Sequence, residues 1–175
     1  KALKAHVDQH HQRPEPLLLL LEWLLATPQV ADTATIFKYE SALSRPEWQT
    51  DFRVLHQRGR CAQHRGSHDN AEQWYRQAIK AGAPTSLSQA QLAVALLAQE
   101  QWASANRELE PLINAEPERL DLHSNRAVAL LRLNRLEEAL DESDLALCLM
   151  DSEEVSESDR ADLWLNRSTI LQELG

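Results

Sequence analysis

The chain has 175 residues, 43% of them hydrophobic, which suffices for one or two globular units or one short array of repeats. Its formal net charge of −9 disfavours nucleic acid as a partner, because phosphate binding needs a basic surface. The longest apolar run, Leu17 to Ala26, is too short to span a bilayer, so membrane insertion is not expected. Strong helix formers are abundant and apolar–polar alternation is lacking, which predicts an all-α fold with almost no strand.

The first fifty residues read as helices separated by prolines. A helix over Ala2–Gln12 ends at the break formed by residues 13–16. Two further helices are predicted at Pro16–Ala26 and Ala31–Leu43. The first of these is apolar on nearly every side, which is typical of a helix buried on several faces. We therefore expect Ala2–Gln12, or a segment outside this chain, to cover it.

From residue 51 onward, a small residue recurs early in each apolar helix. Gly59, Ala93 and Ala127 are 34 residues apart, and Ser168 follows 41 residues later. A fixed period of this length indicates repeated helix pairs. The same period holds at two later positions, which carry Ala71, Ala105 and Ala139, and then Tyr75, Leu109 and Ser143.

This pattern resembles the tetratricopeptide repeat, whose 34-residue unit has a small residue in helix A, an alanine and then a large residue in helix B, and a closing proline such as Pro117. The resemblance implies an all-α, right-handed α-solenoid of antiparallel helix pairs. We expect a divergent helix pair within residues 1–50. Residues 51–175 would hold three repeats and the first helix of a further one, in a single continuous solenoid that is a piece of a longer protein.

Two local features of the repeats lead to predictions: the residue at the turn between helices A and B, and the longer spacing before the last repeat. If the small residue of helix A is position 8, the turn at position 15 carries Gly66, Glu100, Asn134 and Gly175. Glycine and asparagine suit a left-handed helix end, whereas Glu100 departs from that preference. The seven extra residues in the last spacing fall near residues 150–162, and predict either longer helices or an acidic loop.

The resemblance also implies which side chains of helix A face the concave surface. Position 6, one of these, carries a carboxamide in every unit, and no packing rule requires it. An amide both donates and accepts, so a ladder of amides could bond the backbone of an extended peptide. The alternative is a chance register of common polar surface residues. The four amides are Gln57, Gln91, Asn125 and Asn166.

In chain order, the other concave positions are basic in the first repeat, apolar in the middle repeats and mostly acidic in the last one. This asymmetry either orients a ligand or is ordinary surface charge. For a bound peptide, we expect Arg53 and Arg60 to meet acidic groups and Leu87, Val94 and Val128 to supply apolar contacts.

A carboxylate clamp for C-terminal acidic peptides is not expected, because the positions where the clamp has lysine, arginine and asparagine hold Asp162, Asn166, Ala90 and Val94. The position-7 arginines are expected to pack along the seam between repeats, with their head groups paired to carboxylates. They are Arg58, Arg126 and Arg167.

No pattern in the sequence predicts catalysis, a metal or a cofactor. The histidine pairs His6/His10 and His64/His68 supply two ligands each, and no further motif completes a zinc site. Two widely separated cysteines are expected to be buried free thiols.

The sequence therefore predicts a non-catalytic module that binds a protein or an extended peptide on its concave face. Two alternatives stay open. The chain could be the substrate-recruiting arm of a larger enzyme, such as a glycosyl- or sulfotransferase, or it could self-associate through an exposed C-terminal repeat. With no signal-peptide pattern, the expected compartment is the cytoplasm.

Overall fold

The computed structural model describes residues 13–27, 32–150 and 156–175. Within these ranges the chain forms nine α-helices, one short 3₁₀ helix and no strand, which confirms the all-α prediction. The helices are α1 (Glu15–Ala26), α2 (Thr33–Ala42), the 3₁₀ helix (Pro46–Trp48), α3 (Phe52–His64), α4 (His68–Lys80), α5 (Thr85–Ala98), α6 (Trp102–Ala115), α7 (Leu120–Arg132), α8 (Leu136–Met150) and α9 (Glu157–Leu174).

The helices are grouped in two compact units, and the division between them falls inside α5. Unit 1 ends at Gln91, and unit 2 starts at Leu92. In unit 1, α3 and α4 form a tightly packed pair, and α1 packs against both α2 and α3. In unit 2, α7 and α8 form an equivalent pair, with α6 against α7 and α9 against α8. Each pair is an antiparallel hairpin of the kind that the repeat pattern predicts.

Among the described residues, the apolar helix α1 packs through one of its sides. Leu17, Leu20, Leu21 and Leu24 join a core with residues from α2, the 3₁₀ helix and α3. Trp23, in contrast, remains 44% exposed. The helix expected to cover this region, Ala2–Gln12, lies outside the described residues. No helix in the described part of the chain is both long and apolar enough to cross a membrane.

The turn from helix A to helix B has the same backbone form in three repeats. Gly66, Glu100 and Asn134 have φ values of 71°, 59° and 58°. Glu100 takes the left-handed form although glutamate departs from the residue preference there, because the turn imposes that form at this position. In each turn the next residue donates its N–H to the carbonyl five residues earlier: Ser67 to Ala62 at 2.9 Å, Gln101 to Leu96 at 2.9 Å and Arg135 to Leu130 at 3.0 Å.

The long spacing before Ser168 is taken up partly by longer helices. The A and B helices α3 to α7 have 13 or 14 residues, whereas α8 has 15 and α9 has 18. The side chain of Ser156 caps α9 by accepting a hydrogen bond from the N–H of Asp159 at 3.2 Å. Residues 151–155, where an acidic loop was the alternative, lie outside the described residues.

The position-7 arginines divide into two types. In unit 2, Arg126 donates to Glu142 at 2.7 Å and Arg167 donates to Asp144 at 2.6 Å, as predicted. For Arg58 the prediction of a carboxylate partner is wrong: its guanidinium lies 3.8 Å from the centre of the Trp74 ring. Burial lowers the pKa of Arg58, the charge of Glu40 opposes that shift, and the ring face adds negative potential at the guanidinium.

The two cysteines have different environments. Cys61 is buried in the core of unit 1, where burial raises the pKa of its thiol to about 12. The expectation that both thiols are buried is wrong for Cys148, which is exposed on the solvent side of α8. Because that side chain projects from the helix surface, no core residue shields it.

Candidate functional site

Unit 1 contains an open groove made of two adjacent cavities of about 380 and 250 Å³. Three helices line it: α1 and α5 on its sides, and α3 between them. The larger cavity is lined by Glu15, Leu18, Leu19 and Glu22 of α1, by Phe52, Arg53, His56, Gln57 and Arg60 of α3, and by Leu87 of α5. The smaller cavity is lined by Leu25, Arg60, Gln63, His64 and Gln91.

The two cavities form one continuous groove along one face of α3. Along α3, lining residues recur every three or four positions, which places them on one face. Arg60 lines both cavities and marks the point where they join. From Arg53 to His64 the helix rises roughly 16 Å, the length of about five residues of extended chain.

Gln57 presents an unsatisfied amide at this groove. Its side chain is 5% exposed, and its Nε2 has no hydrogen-bond partner among the described residues. Leaving a buried donor unpaired costs about 1–3 kcal/mol. Because this nitrogen is shielded from solvent, a ligand's acceptor oxygen reaches it only when the Gln57 side chain rotates toward the cavity, and the new hydrogen bond would then recover that cost.

The two arginines of the groove have different electrostatic environments. Arg53 donates to Asp51 at 2.6 Å and to Glu15 at 3.0 Å, and these bonds raise its pKa. Its charge is therefore already balanced at the end of the groove where α1 meets α3. Arg60 is half-buried and makes no hydrogen bond or ion pair with any residue that the structure describes. Of the two arginines that line the groove, Arg60 is thus the one left without a described partner.

His56 ties the floor of the groove to the α5 side. Its Nδ1 lies 3.0 Å from the Oγ of Ser88, and its ring is 5.5 Å from that of Tyr75. Burial, assisted by the charge of Arg60, lowers the pKa of His56 to about 4. The imidazole is therefore neutral near pH 7 and adds no charge to the groove.

Large apolar side chains are exposed on both sides of the larger cavity. Leu19 on α1 is 58% exposed and Leu87 on α5 is 46% exposed. Leu18 and Phe52, which line the same cavity, are half-buried. Apolar surface in a concave site contributes binding free energy when a ligand removes it from water.

Five of the nine residues predicted to bind peptide line this groove. Arg53, Gln57, Arg60 and Leu87 line the larger cavity, and Gln91 lines the smaller one. The other four belong to unit 2, where each is half-buried: Val94 on α5, Asn125 and Val128 on α7, and Asn166 on α9. A ladder of four amides across both units stays a prediction.

Sequence reasoning missed the side of the groove formed by α1. The sequence predicts Leu18, Leu19 and Glu22 only as parts of an apolar helix that another segment should cover. The relevant signal was present in that reading, because a helix with apolar residues on every side leaves some of them for a ligand once the core is satisfied.

The histidines do not form a metal site in the part of the chain that is described. No group of three His, Cys, Asp or Glu side chains is arranged there to hold an ion. His64 contributes to the smaller cavity of the groove, while His6 and His10 fall outside the described residues.

Comparison with known proteins identifies the class of repeat. Residues 91–152 match the family model of the tetratricopeptide repeat. The resemblance read from the 34-residue period is therefore confirmed, and the helix pairs of this chain are tetratricopeptide repeats in fold. No curated protein sequence matches the chain as a relative.

Solved structures of tetratricopeptide-repeat proteins share this fold at low sequence identity. The Cut9–Hcn1 hetero-tetramer of the APC/C matches with a TM-score of 0.82 at 17% identity, over 99% of this chain and 32% of that one. YrrB, whose structure is described as having an unusual peptide-binding site, matches with a TM-score of 0.69 at 14% identity, over 97% and 82%. The second such domain of human RPAP3, in complex with the HSP70 peptide SGPTIEEVD, matches with a TM-score of 0.58 at 21% identity, over 72% and 98%.

Proposed function

We propose that this chain is a non-catalytic module that binds an extended segment of a partner protein on the faces of its A helices. The observation that carries the proposal is the open groove of unit 1, where neither the buried amide nitrogen of Gln57 nor the guanidinium of Arg60 has a partner among the described residues. Both features favour an occupant that brings acceptor oxygens. The peptide complex of the RPAP3 domain and the peptide-binding site of YrrB are precedents for this role in the same fold.

Backbone hydrogen bonding is the mechanism that the amides support. An extended segment exposes one N–H and one C=O per residue. A carboxamide can form a hydrogen bond with either group, whatever the side chains of the segment are. Gln57 and Gln91 would act in unit 1, and Asn125 and Asn166 would act in unit 2. Val94 and Val128 would add apolar contacts there.

The structure of the groove changes the role expected of one arginine. Because Arg53 is bonded to Asp51 and Glu15, a ligand carboxylate would have to compete with both. We therefore assign recognition of acidic groups to Arg60.

A library of blocked nine-residue peptides tests the proposal. Binders are measured by isothermal titration against the parent protein and two double variants, Gln57→Ala/Gln91→Ala and Asn125→Ala/Asn166→Ala. Each double variant is expected to weaken binding by at least about tenfold, since hydrogen bonds of this kind contribute about 1 kcal/mol each.

Circular dichroism and thermal unfolding show whether each variant stays folded. A peptide that binds both folded double variants with parental affinity would contradict the amide mechanism. Exposed Gln73→Ala/Gln77→Ala on α4 serves as the matched control, because these amides lie on a B helix outside the groove.

A further inference from the structure

We infer that the groove of unit 1 selects an internal segment in which a large apolar residue stands next to an acidic one. The apolar side chain enters the larger cavity, the side-chain carboxylate bonds Arg60, and the Gln57 side chain rotates so that its Nε2, now buried, donates to the same carboxylate. This inference rests on the proposed function and adds the chemistry of the partner.

The larger cavity fits an apolar anchor. Its volume of about 380 Å³ lies in the range of small-ligand sites, and a leucine or phenylalanine side chain occupies only part of it. Leu19 and Leu87 offer exposed apolar surface from the two sides, and Leu18 and Phe52 line the same cavity. An alanine at the anchor position would leave most of that surface in water.

The hydrogen-bond donors beside the apolar anchor favour an anionic group on the ligand. Gln57 and Arg60 are three residues apart on α3, so their side chains point to the same side of the helix. Nε2 of Gln57 and the guanidinium of Arg60 are both donors without a partner among the described residues. Glu22 also lines the cavity, but its side chain is exposed and solvated, so it opposes the anion weakly.

The position of Arg60 favours a side-chain carboxylate over a chain terminus. Arg60 lies where the two cavities join, so space for the ligand continues on both sides of it. A C-terminal carboxylate bound there would leave one cavity empty. An internal residue lets the chain continue into the smaller cavity, whose walls include Gln63, His64 and Gln91 and suit a polar neighbour.

A charge swap between protein and peptide tests this inference. The probes are nine-residue peptides, acetylated and amidated, with a central Leu-Glu pair taken from the best binders of the library. Matched peptides carry Ala-Glu, Leu-Gln or Leu-Lys, and one further peptide ends in a free carboxylate directly after the leucine. Affinities are measured by fluorescence anisotropy for the parent, Arg60→Glu, and the control Lys80→Glu, which makes the same charge change on α4 away from the groove.

The expected result is a reversal of preference. Arg60→Glu should weaken the Leu-Glu peptide by at least about tenfold and bind the Leu-Lys peptide more tightly than the parent does. Lys80→Glu should retain parental affinities, and Ala-Glu should bind at least about fivefold more weakly than Leu-Glu.

Three outcomes would overturn the inference: a library that selects no apolar–acidic pair, equal affinities for Leu-Glu and Leu-Gln, or tighter Arg60-dependent binding of the peptide with the free carboxylate. If Arg60→Glu has no effect while Asn125→Ala/Asn166→Ala abolishes binding, the inference fails and the proposed function stands. If no peptide in the library binds, both fail.

Discussion

Gly59 lies against the ring of Tyr75, so closely that a Cβ on residue 59 would be 2.5 Å from Cε1 of the tyrosine. The contact sets how near α3 and α4 approach each other at their crossing. In unit 2, the corresponding residues are Ala127 of α7 and Ser143 of α8, both buried. A larger residue in helix B is therefore matched by a smaller one in helix A.

We expect Gly59→Ala to lower the free energy of unfolding by about 1–2 kcal/mol, because overpacking against the ring outweighs the gain in helix propensity. The companion change Tyr75→Leu makes room and should remove that penalty. Urea denaturation of the two single variants and the double variant gives the coupling free energy. Additive effects of the two changes would show that the ring is not the cause.

Glu100 should be a site where a substitution stabilises the protein. It has φ of 59°, a conformation that costs a residue with a Cβ about 1 kcal/mol relative to glycine. We expect Glu100→Gly to raise the midpoint of urea unfolding and Glu100→Ala, which keeps the Cβ, to leave it unchanged. An equal gain from both variants would mean that the carboxylate, and not the backbone, is responsible.

His56 should make the stability of unit 1 sensitive to acid. Its folded-state pKa of about 4 is below the ordinary value, so the unfolded chain binds the proton more readily. Stability is then lost as the pH falls through about 6.5, and the loss is complete near pH 4. Between pH 7 and pH 5 the expected loss is about 2 kcal/mol.

The measurement for His56 is urea denaturation at several pH values in the parent and in His56→Gln, which cannot titrate. The difference between their unfolding free energies should shrink by that amount as the pH falls from 7 to 5. Parallel pH profiles for the two proteins would contradict the assignment to His56.

Glu142 should be the most sensitive carboxylate in unit 2. Its side chain is nearly buried and accepts hydrogen bonds from Arg126 at 2.7 Å and from Nδ1 of His123 at 2.6 Å. Glu142→Ala removes the acceptor of Nδ1 of buried His123 and leaves Arg126 only its bond to Asn106, so we expect a loss of about 3 kcal/mol on thermal or urea unfolding. The control is Glu138→Ala, which removes an exposed ion pair with Arg135 and should leave stability nearly unchanged.

The repeat was predictable because packing forces it to recur. A close helix crossing requires a small residue once per pair, and the spacing of Gly59, Ala93 and Ala127 therefore shows in the sequence. The left-handed turns were predictable from residue type at Gly66 and Asn134, whereas at Glu100 only the repeat register points to the turn.

The candidate site was only partly predictable, because partners distant in sequence decide which side chains stay available. Arg53 and Arg60 lie on the same face of α3, yet only Arg53 is paired, with its neighbour Asp51 and with Glu15, which is 38 residues away. Leu19 and Leu20 are adjacent in sequence, but one is exposed in the groove and the other is fully buried. Such differences depend on the packing of α1 against α3.

Because one cysteine is exposed and the other is buried, the folded protein should be labelled selectively at one thiol. At neutral pH a maleimide dye should react with the exposed thiol of Cys148 and spare Cys61, whose thiolate is suppressed by burial. Mass spectrometry should therefore show one adduct on the folded chain and two after denaturation in urea. The rate at which the second adduct forms then reports the rate at which unit 1 opens, with no tag or engineered residue required.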